Sequence, residues 1–503
     1  MRMRFEDLRQ TAFTFSILAL ALFGFGLVLY CTVWGAGLIS DSFQYVSTAK
    51  NIAAGREFGY VIANGQTVPL TQYPPFFSLL LAGFEVFGVD ALEGARFLNA
   101  FLFGLNILLV GISVKKISGS TGFALLGPLL TIFSSSLVEA HSWALSEPLY
   151  LGLSLAGFLS LSEYLKESRR GWILAAGILF GLGFLTRYVG LSLVVCGLCI
   201  VLLNNKLDRG EKLVDGLLLA VISLLPMGLW TLRNYMLTGT LNNRILSFAP
   251  ITPKNMLSAV DTFLGWIIPD ALVAGREKLI LTVGGVLLVV VLLAWLIFLR
   301  KLPYAAKLVL VLAGSDDLFK SHFLYGGIYF GMVVLSKAYF DDNIGFTERM
   351  FSPMLVSGLI LISAYLANLW QADKPVIRLG VTLCAVYLLS YYMVGTIHLA
   401  PRLHDKGIGI ARKSWHNAES IQLLPALSSR PIFSNSPSSL YLWTENTGYN
   451  LNDFEVFRNQ KNQGEAVLVI FHHLPTNPRL ERLSSGLKVL VSDQVATVYL
   501  YEP

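Results

Sequence analysis

The chain has 503 residues, of which 54% are hydrophobic and 14% charged, and a formal net charge of +6. A soluble domain carries about 25% charged residues, so this composition excludes a soluble globular protein and indicates an integral membrane protein. The basic residues cluster in short loops between apolar runs, which removes nucleic acid as the partner that a positive charge would otherwise suggest.

In chain order, the first apolar run covers residues 12–33. It is too long for a signal-peptide core and lacks a cleavage site, so it reads as a retained anchor. Next comes Asp41-x-x-x-Tyr45, which opens a predicted amphipathic helix with Phe43, Val46 and Ala53 on one side and Gly55 as its stop. Further spans are predicted over 95–114, 121–138, 144–163, 171–187, 189–204, 214–231, 280–300, 321–339, 351–369 and 378–398, about 11 in all. The short apolar run 308–314 is a further candidate span or re-entrant segment.

Alternate connections hold Lys115-Lys116, Lys166 with Arg169-Arg170, Lys206 with Arg209 and Lys212, Arg300-Lys301, and Lys374 with Arg378. Together with Arg2, Arg4 and Arg9 they fall on one side if the N-terminus is cytoplasmic. The loops 34–94, 232–278 and 340–350 then face outward, and so does the turn around Glu139-Ala-His141. Arg187 lies inside an apolar stretch too long for one span, so the chain is expected to turn at Thr186-Arg187-Tyr188 and leave the guanidinium at the interface.

Residues 1–400 therefore form the membrane module. From 401 to 503 the composition becomes polar, and a small soluble α/β domain is expected outside the cytoplasm. Within it, 415–427 reads as helical and 431–434, 466–471, 488–491 and 496–501 as strands, the last two as a hairpin. Cys31, Cys196, Cys199 and Cys384 all fall within apolar spans, so no disulfide framework is implied.

The order of these parts resembles the GT-C superfamily of membrane glycosyltransferases, in particular the branch of protein O-mannosyltransferases and the lipid A aminoarabinose transferase. The features that carry the resemblance are Asp41 with Tyr45 in the first outer loop, then Tyr73-Pro74-Pro75, then Ser146-Glu147-Pro148. Thr186-Arg187-Tyr188, Arg233-Asn234-Tyr235 with Thr238-Gly239, and Arg349 ahead of Pro353 follow. It covers about the first 400 residues. Many relatives carry two adjacent acids in the first outer loop, whereas Asp41 is flanked by serines. The tail is also unlike the lumenal modules of protein O-mannosyltransferases, so a protein acceptor is not specifically supported.

The resemblance implies transfer of a sugar from a polyprenyl-phosphate donor to an acceptor hydroxyl on a lipid, glycan or protein, at the outer face of a bacterial inner membrane and with inversion. Such transfer needs a base for the hydroxyl proton and cations for the departing phosphate. Asp41 is the candidate base and Glu147 the second candidate catalytic acid. Tyr45, Tyr73, His141, Arg187, Arg244 and Arg349 are candidate substrate contacts, guanidinium forks being suited to phosphate. Glu139 and His141 are the candidate ligands should a divalent metal ion take part.

Each residue also has a structural reading. Asp41 could cap its helix with Gln44, Arg187 could anchor the interface, and Arg349 could pair with Asp341, Asp342 or Glu348. Glu147 before Pro148 fits a helix start. Lys50 and Arg56 read as solvated residues or contacts to membrane-lipid headgroups. A flippase for a lipid-linked sugar is the competing function, although no paired repeat is evident.

Overall fold

The computed structural model describes residues 2–244, 246–268, 316–371, 374–445, 447–458, 464–475 and 478–502. The predicted span 280–300, the run 308–314, the loop Arg300-Lys301 and the last part of the loop 232–278 lie outside the described residues. The chain divides into two compact units, each with its own packing. The first comprises Met1–Phe25, Leu102–Ala140 and Glu147–Ile397; the second comprises Gly26–Phe101, His141–Ser146 and His398–Pro503.

Helices dominate. In chain order they are α1 (Arg2–Cys31), α2 (Ser40–Ala53), α3 (Phe76–Val86), α4 (Ala91–Ser118), α5 (Phe123–Ile132), α6 (Ser135–His141) and α7 (Glu147–Glu167). They continue with α8 (Arg170–Thr186), α9 (Leu191–Leu203), α10 (Arg209–Thr238), α11 (Pro253–Gly265), α12 (Asp317–Tyr339), α13 (Glu348–Trp370) and α14 (Pro375–Lys406). Among the described residues six helices are long and apolar enough to cross a membrane, or seven if the pair α5 and α6, bent by 61°, counts as one. The six are α1, α4, α10, α12, α13 and α14. On α1, α10 and α14 large apolar side chains such as Leu22, Leu217 and Leu383 stay exposed. In water that surface would be strongly unfavourable, and lipid tails are the medium that solvates it.

In the first unit α8 packs between α7 and α10, and α12 packs on α9 and α13. Phe158, Phe180, Tyr325, Tyr329 and Phe351 are buried at the centre of this packing. The boundary between α8 and α9 falls at Arg187, which takes an extended conformation (φ −147°, ψ 137°). A 3-10 turn over Tyr188–Gly190 then starts α9. Gly190 makes this turn feasible, because a Cβ there would stand 2.5 Å from Phe184 Cα and 2.7 Å from the Gly183 carbonyl. A side chain would push the two helix ends apart and move Arg187 with them.

The second unit joins α2, the hairpin β1 (Gly59–Val61) and β2 (Thr67–Pro69), and α3 to the polar tail. The Ser47 hydroxyl accepts from Val61 N at 2.9 Å and Asn51 donates to the Gly59 carbonyl at 2.7 Å, which seats the hairpin on α2. The tail holds a five-stranded sheet of β3 (Ile432–Ser434), β4 (Tyr449–Asn450), β5 (Ala466–Phe471), β6 (Lys488–Ser492) and β7 (Ala496–Tyr501), in the order β4-β3-β5-β7-β6. β3 runs parallel to β4 and β5, and β7 is antiparallel to β5 and β6. Central β5, Ala-Val-Leu-Val-Ile-Phe, is buried along its whole length, as an uninterrupted apolar run demands. The predicted hairpin of 488–491 with 496–501 is the β6–β7 pair, with a bulge between Val489 and Val491. Helix is present at Lys413–His416 and Glu419–Leu423, which overlap the stretch 415–427 read as helical.

Candidate active site

In the second unit, Asp41 occupies the first turn of α2, where a negative charge suits the helix dipole. It is not the cap. The residue preceding the helix is Ile39, whose N–H donates to the Ser42 hydroxyl at 3.2 Å. Ile39 thus stands where the capping reading put Asp41, and Ser42 does what that reading gave to Gln44. The half-buried Asp41 carboxylate accepts from the Tyr73 hydroxyl at 2.9 Å and from Ser40 at 3.3 Å. Tyr73 ends the irregular segment whose Pro74-Pro75 leads into α3, so the prolines aim its ring back at α2. Tyr45, one turn on from Asp41, packs its ring 5.2 Å from Tyr73 and 5.1 Å from Phe77. Its hydroxyl lies 3.3 Å from Ser146 Oγ. Asn99 holds that stretch in place by donating to the carbonyls of Trp143 and Leu145 at 2.6 and 3.3 Å.

In the first unit, Glu147 opens α7 and is almost fully buried, its side chain 4% exposed. Arg187 Nη1 reaches Glu147 Oε1 at 2.5 Å, and Arg349 Nε reaches the same oxygen at 3.4 Å. Two guanidiniums from distant parts of the chain are therefore gathered on one carboxylate. Around them, Arg187 Nη2 lies 3.8 Å from Met350 Sδ, and the Tyr329 hydroxyl donates to the Met350 carbonyl at 2.8 Å. Tyr150, one turn along α7 from Glu147, shares a 2.8 Å hydrogen bond with Tyr325. These tyrosines fix the first turn of α13 and the floor beneath the charges. They escape notice in the sequence because an aromatic inside an apolar span reads as packing.

Other candidates have contacts of their own. Arg244 pairs with Asp341 at 3.2 Å. Arg233 lies over the Trp230 ring at 4.5 Å, an arrangement of helix packing. Arg349 pairs with Glu147, whereas the sequence had Asp341, Asp342 or Glu348 as partners. Lys50, expected at solvent or a headgroup, is bound by Asp90 at 2.8 Å and Glu445 at 2.6 Å. Glu139 and His141 lie two residues apart on α6, a spacing that turns their side chains to different faces. Among the described residues no group of three or more His, Cys, Asp or Glu is placed to hold a metal ion. Glu139 and His141 by themselves thus form no ion site among the described residues.

The architecture defines a membrane protein of the GT-C glycosyltransferase fold. Over 97% of this chain and 98% of the other, it superposes on ArnT from Cupriavidus metallidurans bound to undecaprenyl phosphate, with a TM-score of 0.59 at 15% identity. The apo state of that ArnT gives 0.57 at 14%, over 98% of both chains. Arabinofuranosyltransferase AftD from Mycobacteria gives 0.51 at 10%, over 96% of this chain and 41% of the AftD chain. Residues 13–242 match the dolichyl-phosphate-mannose-protein mannosyltransferase family model. The chain thus resembles the GT-C superfamily, in its protein O-mannosyltransferase and aminoarabinose-transferase branch. Comparison with curated protein sequences gives no match.

Proposed function

We propose that this chain transfers a sugar from a polyprenyl-phosphate donor to an acceptor hydroxyl at the outer face of the membrane. Asp41 takes the hydroxyl proton as the acceptor oxygen attacks the anomeric carbon. The bond from that carbon to the phosphate oxygen breaks, and the phosphate leaves with the electron pair. Arg187 and Arg349 stabilise the developing phosphate charge, and Glu147 positions both. One displacement from the face opposite the leaving group inverts the anomeric centre. About 11 spans, a cytoplasmic N-terminus and an extracytoplasmic tail belong to this reading, through the charge pattern of the loops. So does placement in a bacterial inner membrane.

The observation that carries the proposal is the meeting of Arg187 and Arg349 on one oxygen of buried Glu147. Gathering two cations at a helix start is costly unless an anion uses them. The undecaprenyl phosphate in the ArnT structure of the same fold supports a lipid-phosphate as that anion.

The test is purified protein in proteoliposomes with a labelled polyprenyl-phosphate sugar. Release of polyprenyl phosphate is expected, and it should fall by about 10²–10⁴ in Asp41→Asn, the usual range for a lost general base. Movement of intact donor across the bilayer without cleavage would make the protein a flippase. Undiminished release by folded Asp41→Asn would remove Asp41 as the base.

A further inference from the structure

The first unit holds a cavity of about 490 Å³ that none of the roles above uses. We propose that it binds a sugar ring bearing no acidic group, through Trp266 and the Ser136–Glu348 pair. The inference rests on the transferase reading and extends it from the phosphate to the sugar.

The break between α5 and α6 presents Ser134, Ser135 and Ser136 to the cavity. Thr396 of α14 pins this break by donating to the Phe133 carbonyl at 2.6 Å. Ser136 donates to Glu348 Oε2 at 2.5 Å, which orients the carboxylate and leaves it further lone pairs for ligand hydroxyls. Glu348 directly precedes Arg349 in the first turn of α13. Adjacent helix positions diverge by about 100°, so one turn offers a carboxylate to the cavity and a guanidinium to Glu147.

Across the cavity, Tyr387 donates to the Ile267 carbonyl at 2.6 Å, and Tyr391 donates to that of Gly265. Both hydroxyls are thereby committed to holding the turn that carries Trp266. The indole Nε1 is shielded from solvent and has no hydrogen-bond partner among the described residues. The shielded N–H is not open to the cavity, so what Trp266 offers a ligand is its aromatic surface.

The chemistry selects the ligand class. Among the described residues that line the cavity Glu348 is the sole charged one, and no lysine, arginine or histidine accompanies it. A phosphate or a uronate would meet repulsion. A sugar ring supplies C–H faces for the aromatic side chains and hydroxyl donors for Glu348 and the serines.

Saturation-transfer NMR on the full chain in nanodiscs, with D-glucose, D-mannose and D-glucuronate as probes, tests this. Transfer to the two neutral sugars is expected, with a weaker signal for glucuronate. Glu348→Ala should reduce it about fivefold, as loss of one hydrogen bond predicts, and Trp266→Ala about as much through loss of the aromatic surface. Undecaprenyl phosphate binding, followed by native mass spectrometry, should persist in both variants and report that they are folded. Displacement of the monosaccharide by sugar-loaded donor assigns the cavity to the donor's sugar, and retention assigns it to the acceptor's; either supports the site. Absence of transfer in wild-type protein that binds undecaprenyl phosphate would overturn it, as would equal signals for glucose and glucuronate or unchanged variants. Sugar binding without any undecaprenyl phosphate binding would instead count against the transferase reading.

Discussion

The two charged centres differ in how they are held. Buried Glu147 holds the partly exposed Arg187 and Arg349 on one oxygen, and tyrosines and the turn at Gly190 lock the group. Asp41 is half-buried and takes its hydrogen bonds from the hydroxyls of Tyr73 and Ser40. The contrast matches two different tasks. Groups that stabilise a leaving anion gain by being rigid before the reaction, whereas a base must be reached by a mobile acceptor. A buried ion pair is poor support for stability in itself, so its retention here is better explained by the anion it prepares for.

The sharpest way to break this contrast is Arg349→Ala. Loss of one preorganised donor typically costs ~2.7–4 kcal/mol in the transition state, so release of polyprenyl phosphate should slow by about a hundredfold or more. Wild-type rates in proteoliposomes would show that Arg349 serves only to neutralise Glu147. Tyr73→Phe probes the other centre. It removes a neutral donor to a carboxylate, worth ~1.5 kcal/mol at the lower end, so a loss of about tenfold is expected with the fold retained. A larger loss for Tyr73→Phe than for Arg349→Ala would reverse the assignment of which centre depends on preorganisation.

What was legible in the sequence was local. Asp41 announced itself by its place after the first span, Arg187 by a polar residue in an apolar stretch longer than one helix, and the β6–β7 hairpin by alternating apolar residues around Ser492-Asp-Gln494. Pairings between distant segments were not legible. Nothing in the neighbourhood of Arg349 indicates Glu147, two hundred or so positions earlier, and the nearer acids made better sequence candidates. Lys50 read as solvated because Asp90 and Glu445 come to it only through folding. Ser134-Ser135-Ser136 was passed over because serines in a span read as helix packing, and only the 61° break turns them toward a cavity. The membrane also blunts the usual signal, since an apolar residue facing lipid and one facing the core look alike.

The smallest effect belongs to Lys50, which ties α2 to Asp90 and Glu445 within the second unit. Burial lowers the Lys50 pKa, but the hydrogen bonds and charges of Asp90 and Glu445 outweigh it and hold the ammonium above its ordinary value. Burial likewise raises the Asp90 carboxyl, yet Lys50 pulls it below the usual range. The signs set the pH window. Asp90's contribution is present above about pH 3.9 and lost as pH falls through its depressed folded value. That of Lys50 is present below about pH 10.4 and lost as pH rises through its raised folded value. Both partner carboxylates are partly exposed, so Lys50→Met should cost less than ~1 kcal/mol at pH 7. Thermal unfolding in detergent should show a deficit that is flat from about pH 5 to pH 10 and shrinks in acid as Asp90 protonates. A deficit that fails to shrink as pH falls through the Asp90 range would mean that the ion pair with Asp90 is not what holds α2 in place.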